Sequence, residues 1–511
     1  MRRLALLVGA LVVPVLTAAP AHADADNVIC VGGPAGVTCD ANAASISSAI
    51  TLANGNAVDD TIRVGPGTYT DGPYTLGAGA RKIDLVGSGR DATTISLPAG
   101  GVQDYVRVES GRLADLTVTM NATGSVGDRG VVAFDGALVE RVAVDGTTAT
   151  DVTAMTMADS TLLDSSVLAN PGDANSRGIY SDGDAIIADT VIQGGNTGFY
   201  ASTAPDETET LSGVTVRAIN QVISVDGGTI NLTNALIDLG STNAVGLAAV
   251  NLNAGVITKT INANHVTIVG GGPNSVGVLA QSSAPAAKQT SVVNLSNSIV
   301  RGPDTDIRVV AGNNGAQGGD SVAQVNASYS DWATQEVMPS ANGSTVLSAP
   351  PSNLSNIDPQ FVNAAMGDYR LRPTSPLVDA GNPGVFGPSF DLDGEPRVID
   401  GDGDGTSVRD LGAYELQDRV APQTVFSKKP KKKITAKKVR FKFTSEPNAS
   451  FECKRDKKAY KPCTSPLSWK VKLGKHVLRV RAIDVWGNVD STPAKYSFRR
   501  LPKPSGCTGE C

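Results

Sequence analysis

The chain has 511 residues, with 44 Lys+Arg against 50 Asp+Glu and a formal net charge of −6. Hydrophobic residues make up 41% and charged residues 18%, which excludes the apolar-poor, highly charged signature of a disordered chain; the 55 Gly follow no Gly-X-Y period, which excludes collagen. A chain of this length holds either several domains or one long repeat array.

Residues 1–23 read as a secretory signal. Arg2 and Arg3 give a positive start, residues 4–16 a short apolar run broken by Pro14, and Ala21-His22-Ala23 a small-x-small cleavage pattern, so maturation is expected before Asp24. The run is too short for a bilayer span, and no later segment reaches the ~18 apolar residues that one needs. The six Cys fall into three close pairs, Cys30 with Cys39, Cys453 with Cys463 and Cys507 with Cys511. In an exported chain this pattern predicts local disulfides; with no C-x-x-C and only three His, zinc or redox chemistry is disfavoured.

Charge divides the chain. Residues 1–418 carry 20 Lys+Arg and 44 Asp+Glu, net −24, whereas residues 419–511 carry 24 and 6, net +18. The predicted domains are therefore 24–418 and 419–499, with a tail over 500–511.

The acidic part opens with an Ala-rich stretch, residues 42–53, the one predicted helix and a candidate cap. Apolar triplets then recur: Leu116-Thr117-Val118, Val142-Ala143-Val144, Ser166-Val167-Leu168, Thr190-Val191-Ile192, Val214-Thr215-Val216, Ala235-Leu236-Ile237, Val266-Thr267-Ile268 and Ser298-Ile299-Val300. Their last members lie 26, 24, 24, 24, 21, 31 and 32 residues apart, a solenoid period with insertions. Val, Ile and Thr in two-residue alternation, punctuated by Gly, Asn and Asp, make the repeat unit a strand. The pattern predicts a coil of short strands, each paired with its equivalent one turn on, around a continuous apolar core.

Asp60-Thr61-Ile62-Arg63-Val64-Gly65-Pro66-Gly67-Thr68-Tyr69 and Ile83-Asp84-Leu85-Val86-Gly87-Ser88-Gly89 resemble the opening of right-handed parallel β-helix proteins of the pectate-lyase-like superfamily. Asn264-His265-Val266-Thr267-Ile268 and Asn297-Ser298-Ile299-Val300 resemble their inner rungs. Asp358-Pro359-Gln360-Phe361, Asp368-Tyr369-Arg370-Leu371, Ser375-Pro376-Leu377-Val378-Asp379-Ala380-Gly381, Asp391-Leu392-Asp393-Gly394 with Arg397, and Asp410-Leu411-Gly412-Ala413-Tyr414-Glu415 are similar to the closing segment of bacterial surface β-helix proteins called choice-of-anchor Q proteins. The resemblance covers roughly residues 27–417 and implies an exported surface protein. It implies no single reaction, because the fold hosts lyases, hydrolases, adhesins and structural rods.

For catalysis, Asp182 and Asp184 flank Gly183 just after Arg177, and two neighbouring carboxylates can share acid and base roles in glycoside hydrolysis. Aligning coils on Leu168, Ile192 and Val216 also places Asp159, Asp182 and Asp206 in one acidic ladder, which reads either as a calcium-binding face, as the resemblance to lyases of this fold implies, or as the turn ladder a solenoid needs at its corners. His265, alone beside a rung, reads as structural. Only Lys82, Lys259 and Lys288 represent Lys in the acidic part, which weakens a lysine-based lyase. For metal, Asp400-Gly401-Asp402-Gly403-Asp404-Gly405 matches the first half of a calcium loop, but position 12 is Leu411 where a Glu is expected. Asp393, Asp410 or Glu415 would have to complete it; the competing reading is an acidic turn with Asp410 paired to Arg397. A calcium ion there would be structural.

Residues 420–499 alternate like strands and resemble an immunoglobulin-like bacterial surface domain, on Phe451-Glu452-Cys453, Pro462-Cys463-Thr464-Ser465-Pro466-Leu467, Gly474-Lys475-His476, Arg481-Ala482-Ile483-Asp484-Val485-Trp486-Gly487-Asn488 and Thr492-Pro493-Ala494. Trp469 and Trp486 read as core aromatics and His476 as non-catalytic. A charge of +18 attracts polyanions; with no recognition helix, sequence-specific nucleic-acid binding is not expected. The sequence thus predicts an all-β protein, a right-handed parallel β-helix followed by an immunoglobulin-like sandwich. Three functions stay open: binding of carbohydrate or wall polymer with the basic module as tether, a polysaccharide lyase or hydrolase, and a structural rod.

Overall fold

The computed structural model describes residues 27–503, apart from 57, 79–80, 98–103, 121–126, 252–257, 285–288, 314–320, 339–342, 385–386, 402–405, 418–420, 447–448 and 485–487. The predicted signal, the pair Cys507 with Cys511, Trp486, and Asp402 and Asp404 lie outside the described residues. The chain divides into two compact units: residues through Pro359 with Ala380–Gly394 and Leu411–Tyr414, and Gln360–Asp379 with Glu395–Asp410 and the chain from Glu415 onward.

The first unit is a right-handed parallel β-helix. One wall is an 11-stranded sheet from Tyr74–Leu76 to Gln335–Met338, each strand paired in parallel with the strand one coil further along the chain. The remaining walls form a 21-stranded sheet whose longer strands, such as Thr208–Ala218, Thr229–Leu239 and Thr258–Gly270, bend in the middle and serve two walls. Every second residue faces inward, so like residues stack. Leu113, Val139, Leu162, Ile187, Leu211, Leu232, Ala263, Leu295 and Ala327 follow one another in register and all are buried. One apolar core runs from Ile29 to Trp332.

The recurring triplets form a second inward column: Val118, Val144, Val167, Ile192, Val216, Ile237, Ile268, Val300 and Trp332. In the third rung the inward residue is Val167, not Leu168 as the triplet alignment has it. In Ser166–Ala169 the buried residues are Val167 and Ala169, and Leu168 between them faces outward; both parities of that strand therefore carry apolar side chains and the triplet alone does not fix the face.

Between these two columns the backbone turns through one left-handed residue per coil. Asp115, Arg141, Asp164, Asp189, Gly213, Asn234, His265, Asn297 and Tyr329 occupy this corner with φ between +44° and +66°. A left-handed residue costs an ordinary side chain about 1–2 kcal/mol, and Asn and Asp bear it best; this is the physical origin of the periodic Asn/Asp punctuation. Ser or Thr often follows and folds back across the corner, Ser165 Oγ to the Leu163 carbonyl, Thr190 Oγ1 to that of Ala188 and Ser298 Oγ to that of Ser296.

The predicted helix is Ile46–Asn54, shorter at its start than the Ala-rich stretch. Ser45 caps it through a reciprocal pair with Ser48, and Ala41–Ala43 is taken instead as a strand against Asn27–Val31. Ile46, Ala49, Ile50 and Ala53 bury against the first coil. Cys30–Cys39 is bridged in this coil.

The closing motif explains why His265 is buried. Residues of Ala380–Gly394 and Leu411–Tyr414 lie on the corner column as a strap. Asn382 N–H donates to Asn297 Oδ1 (2.7 Å), Gly412 N–H to the Asn297 carbonyl (2.8 Å), Ala413 N–H to Thr267 Oγ1 (2.8 Å), and Asn234 Nδ2 to the Phe390 carbonyl (2.5 Å). A Cβ on Gly412 (φ +89°) would come within 2.5 Å of Thr267 Oγ1, so glycine is required there. His265 sits between the strapped corners at Asn234 and Asn297 and is fully buried, which fits its structural reading.

In the second unit, residues 425–500 form a sandwich of a three-stranded sheet (Val425–Lys428, Lys438–Thr444, Leu467–Lys470) and a five-stranded sheet (Lys433–Ile434, Ala494–Arg500, Gly474–Ile483, Ser450–Arg455, Lys461–Cys463). The first edge strand changes sheets partway, and the order matches immunoglobulin-like packing. Phe441, Phe443, Trp469, Leu478, Val480, Tyr496 and Phe498 build the core, and Trp469 meets Phe498 edge-on with ring centroids 5.8 Å apart. Cys453–Cys463 closes the hairpin of Ser450–Arg455 with Lys461–Cys463.

Candidate functional site

Most β-helix arginines are spent on register. Arg141 grips Asp115 (2.7 Å), Arg129 Asp104 (2.7 Å) and Arg308 Glu336 (2.6 Å), each on an adjacent coil, and Arg112 pairs with Glu140. An Asn ladder does the same without charge: Asn262, Asn294 and Asn326 each donate Nδ2 to the Asn Oδ1 one coil before, starting at Asn231, at 2.7–2.8 Å. These amides satisfy one another and present few free groups.

Arg177 differs. It lies at the start of Arg177–Ser181 on the outer face of the 11-stranded sheet, and among the described residues it makes no ion pair. Its guanidinium carbon is 5.5 Å from the centre of the Tyr200 ring, and Tyr200 stacks on Tyr180 of the previous coil at 5.8 Å and 25°. The two tyrosines are register partners, so the stack follows directly from strand pairing. Both residues are half-buried.

A charged rim adjoins the stack. Tyr200 donates its hydroxyl to Asp226 Oδ2 (3.0 Å) on the next coil. Asp226 Oδ1 takes the Lys259 ammonium, which also donates to the Val250 carbonyl (2.7 Å). The Lys259 side chain is 1% exposed, so its charge reaches the surface only through Asp226. Burial first, and Asp226 second, push the Tyr200 phenol up to about 12, so it is a neutral donor at physiological pH.

Asp182 and Asp184 are both exposed but have different surroundings. Asp184 Oδ1 accepts the Thr208 N–H (2.5 Å) and its own N–H donates to Asp159 Oδ1 (2.9 Å), so it sits in a turn column that runs Asp159, Asp184, Thr208. Asp159 faces Gly183 and Asp206 stands in an exposed turn; the ladder Asp159, Asp182, Asp206 does not form, because the alignment on Leu168 shifts Asp159 by one and because the register partner of Asp182 is Ser202, four residues before Asp206. Asp182 continues the face that carries Tyr180, and strand register places Ser202 and then Asp226 above it.

Asp400 is at the base of the predicted calcium loop, which is closed by an Ile399–Val408 bridge. Arg397 Nη1 pairs with Glu415 Oε2 (3.3 Å), while Asp410 accepts N–H groups from Asp379 (2.8 Å) and Leu416 (2.6 Å). Burial raises both the Asp410 and Glu415 carboxyls, and the charge of Glu415 adds to it at Asp410. These two acids anchor the closing segment's backbone. Among the described residues no group of three or more His, Cys, Asp or Glu is placed to hold a metal ion.

No family model matches the chain, and no curated protein matches it. Solved structures similar to it are the Acinetobacter phage vB_ApiP_P1 tailspike protein (10% identity, TM-score 0.28, 88% of this chain and 74% of that one) and the A-modules of the Azotobacter vinelandii mannuronan C-5 epimerases AlgE4 (12%, 0.26, 59% and 93%) and AlgE6 (16%, 0.22, 60% and 94%). No helix among the described residues is long and apolar enough to cross a membrane.

Proposed function

We propose that this is a secreted or cell-surface β-helix protein that binds an acidic polysaccharide on the outer face of its 11-stranded sheet, with the basic module as an electrostatic tether. The observation that carries the reading is the Tyr180–Tyr200 stack with Arg177 laid against it. A tyrosine face offers apolar area to the C–H side of a sugar ring, and a planar guanidinium with no carboxylate partner offers a fork to a sugar carboxylate. Asp226, held by Tyr200 and Lys259, supplies a fixed acceptor for sugar hydroxyls. The two disulfides among the described residues suit an oxidising compartment.

The test is affinity electrophoresis or calorimetry with polygalacturonate, alginate and a neutral glucan. Tyr200→Ala and Arg177→Gln should each weaken binding of an acidic polymer about 3–10-fold, the size of one stacking or cation–π contact. Undiminished binding by both variants would refute the site.

One observation favours a second reading, hydrolysis. Asp182 and Asp226 lie two coils apart on one face, about 9.5 Å by strand spacing, near the upper end of the range for an inverting acid pair. A reducing-sugar assay separates the readings: turnover abolished by Asp182→Asn and by Asp226→Asn makes the protein a hydrolase, and its absence across the bound polymers leaves a binding protein.

A further inference from the structure

Lysine is scarce in residues 24–418, where Lys82, Lys259 and Lys288 are the whole supply. Lys82 is exposed, as lysines almost always are, whereas Lys259 is fully buried. Lys259 lies in Thr258–Gly270 between exposed Thr258 and half-buried Thr260, at the parity of buried Ile261. Its stem therefore starts on the inner side of the coil, and its register partner one coil on is Ser291, also buried. From there the ammonium reaches Asp226, just after Gln221–Val225 on the other sheet, and the Val250 carbonyl of the following coil (2.7 Å).

The outer face needs that charge if it is to take an acidic polymer. Across the coils of Arg177–Ser181, Thr197–Ala201 and Gln221–Val225, with the residue after each strand, the outward charged residues are Arg177, Asp182 and Asp226. One arginine against two carboxylates repels a polyanion. Asp226 is the carboxylate that matters more, because it takes the Tyr200 hydroxyl (3.0 Å) and the Tyr200 ring carries the Arg177 guanidinium 5.5 Å from its centre. A sugar carboxylate held there by Arg177 would feel an uncancelled Asp226, since the separation is on the order of the ~8 Å Debye length of physiological salt. A surface lysine could cancel Asp226 only by standing on the face itself. Lys259 cancels it from beneath. Stability alone does not account for the pair, because replacing a buried ion pair with apolar residues is often neutral or stabilising.

We propose that Lys259 is a specificity-determining residue: it cancels the Asp226 charge from inside the coil and so lets the Tyr180–Tyr200 face take a hexuronate in preference to the neutral sugar of the same shape. This rests on the acidic-polysaccharide reading and deepens it. Lys259 touches no sugar and acts through Asp226. With Lys259 in place, Asp226 accepts from sugar hydroxyls while Arg177 takes the carboxylate, so the two ends of the Tyr200 ring select different groups of one sugar unit. Without it, Asp226 repels the carboxylate that Arg177 recruits. A neutral sugar carries no net charge and is indifferent to the change.

The experiment uses the whole protein with polygalacturonate and its carboxyl-reduced form, a neutral galactan of the same backbone, and measures the affinity for each by calorimetry. The readout is the ratio of the two affinities, because a lost strut or a displaced tyrosine moves both together. Lys259→Met should lower the ratio about 5–10-fold at low salt, the size of a partly screened unit charge about 10 Å away at an effective dielectric constant of about 20, and the drop should shrink as salt rises. Met keeps the volume of the lysine stem, and the Asp226 side chain is 30% exposed, so its orphaned carboxylate stays hydrated and the variant should fold. Lys259→Met with Asp226→Asn removes both charges and should restore the ratio. Asp226→Asn alone leaves the ammonium unbalanced and should raise the ratio above that of the wild type, a result that does not depend on the folding of Lys259→Met. A ratio that neither Lys259→Met nor Asp226→Asn changes, while Arg177→Gln still lowers it, overturns the assignment and leaves the binding face standing. A wild type that does not prefer polygalacturonate, or a preference that Arg177→Gln leaves unchanged, overturns the acidic-polysaccharide reading and the assignment with it.

Discussion

The β-helix and the sandwich treat charge in opposite ways. In the β-helix, most arginines sit on carboxylates one coil away, so the few cations of residues 1–418 are bound into the register. In the sandwich, lysines on the three-stranded face stand opposite lysines. Positive charge in the first region is largely structural and positive charge in the second is largely available. Arg177 is the instructive exception: an arginine on a rung that leans on a tyrosine instead of a carboxylate, at the face proposed to bind a ligand.

Removing a charge inside the β-helix should hurt most where its partners are buried. Arg301 serves Asp331 and lies 3.6 Å from Asp306, and these carboxylates are 0% and 3% exposed. Burial already raises both carboxyls, with Arg301 opposing it. Arg301→Met should cost about 3–5 kcal/mol at pH 7 by denaturant melts, and the loss should shrink toward pH 5 as the orphaned acids protonate. An equal loss at both pH values would contradict the structural role given to this pairing.

Glu209 sharpens the same point from the inside. It is fully buried and its carboxyl accepts the Ala185 N–H (3.1 Å). Burial, reinforced by Asp184 and Glu207, pushes it up to about 8. Its folded pKa lies above its unfolded one, so the native state holds the extra proton and stability falls as pH rises from about 4.5 to 8. The total is about 3–5 kcal/mol, and Glu209→Gln should flatten the melting temperature across that window.

The sandwich has a smaller pH effect of opposite origin. His476 meets Asp456 Oδ2 through Nδ1 (2.9 Å) and the Lys472 carbonyl through Nε2 (2.8 Å). Both partners are acceptors, so the ring is held doubly protonated and its pKa is raised against the burial that lowers it. That contribution is complete below about 6.5 and is lost as pH rises through the higher folded value. His476→Gln should remove about 1 kcal/mol at pH 6 and less at pH 8, read by the melt of the sandwich.

Much of the fold is legible in the sequence because coil stacking repeats one physical demand. The triplets mark the inward column, and the Asn/Asp punctuation marks the left-handed corner. The exceptions are local. Ser166–Ala169 carries apolar residues at both parities and slips the alignment by one, which shifts Asp159, while the turn after Ser202 carries Asp206 out of register with Asp182. Ala41–Ala43 has helical composition but is claimed by the edge of Asn27–Val31. The site was harder to read. Arg177 stood out in the sequence, but Tyr180, Tyr200, Asp226 and Lys259 come from four coils of unequal length. The register of the 11-stranded sheet aligns Tyr180, Tyr200 and Asp226, Lys259 joins them from Thr258–Gly270 of the other sheet, and a period aligned on that other sheet alone does not supply the set.

The most direct test of the two-surface account is hydrogen exchange on the intact protein with an acidic oligosaccharide, at low and at high salt. Exchange over 177–202 should slow at both salt levels, and any protection over 425–500 should be lost at high salt. Protection of 425–500 with none over 177–202 would contradict it: the β-helix would then have no ligand face of its own.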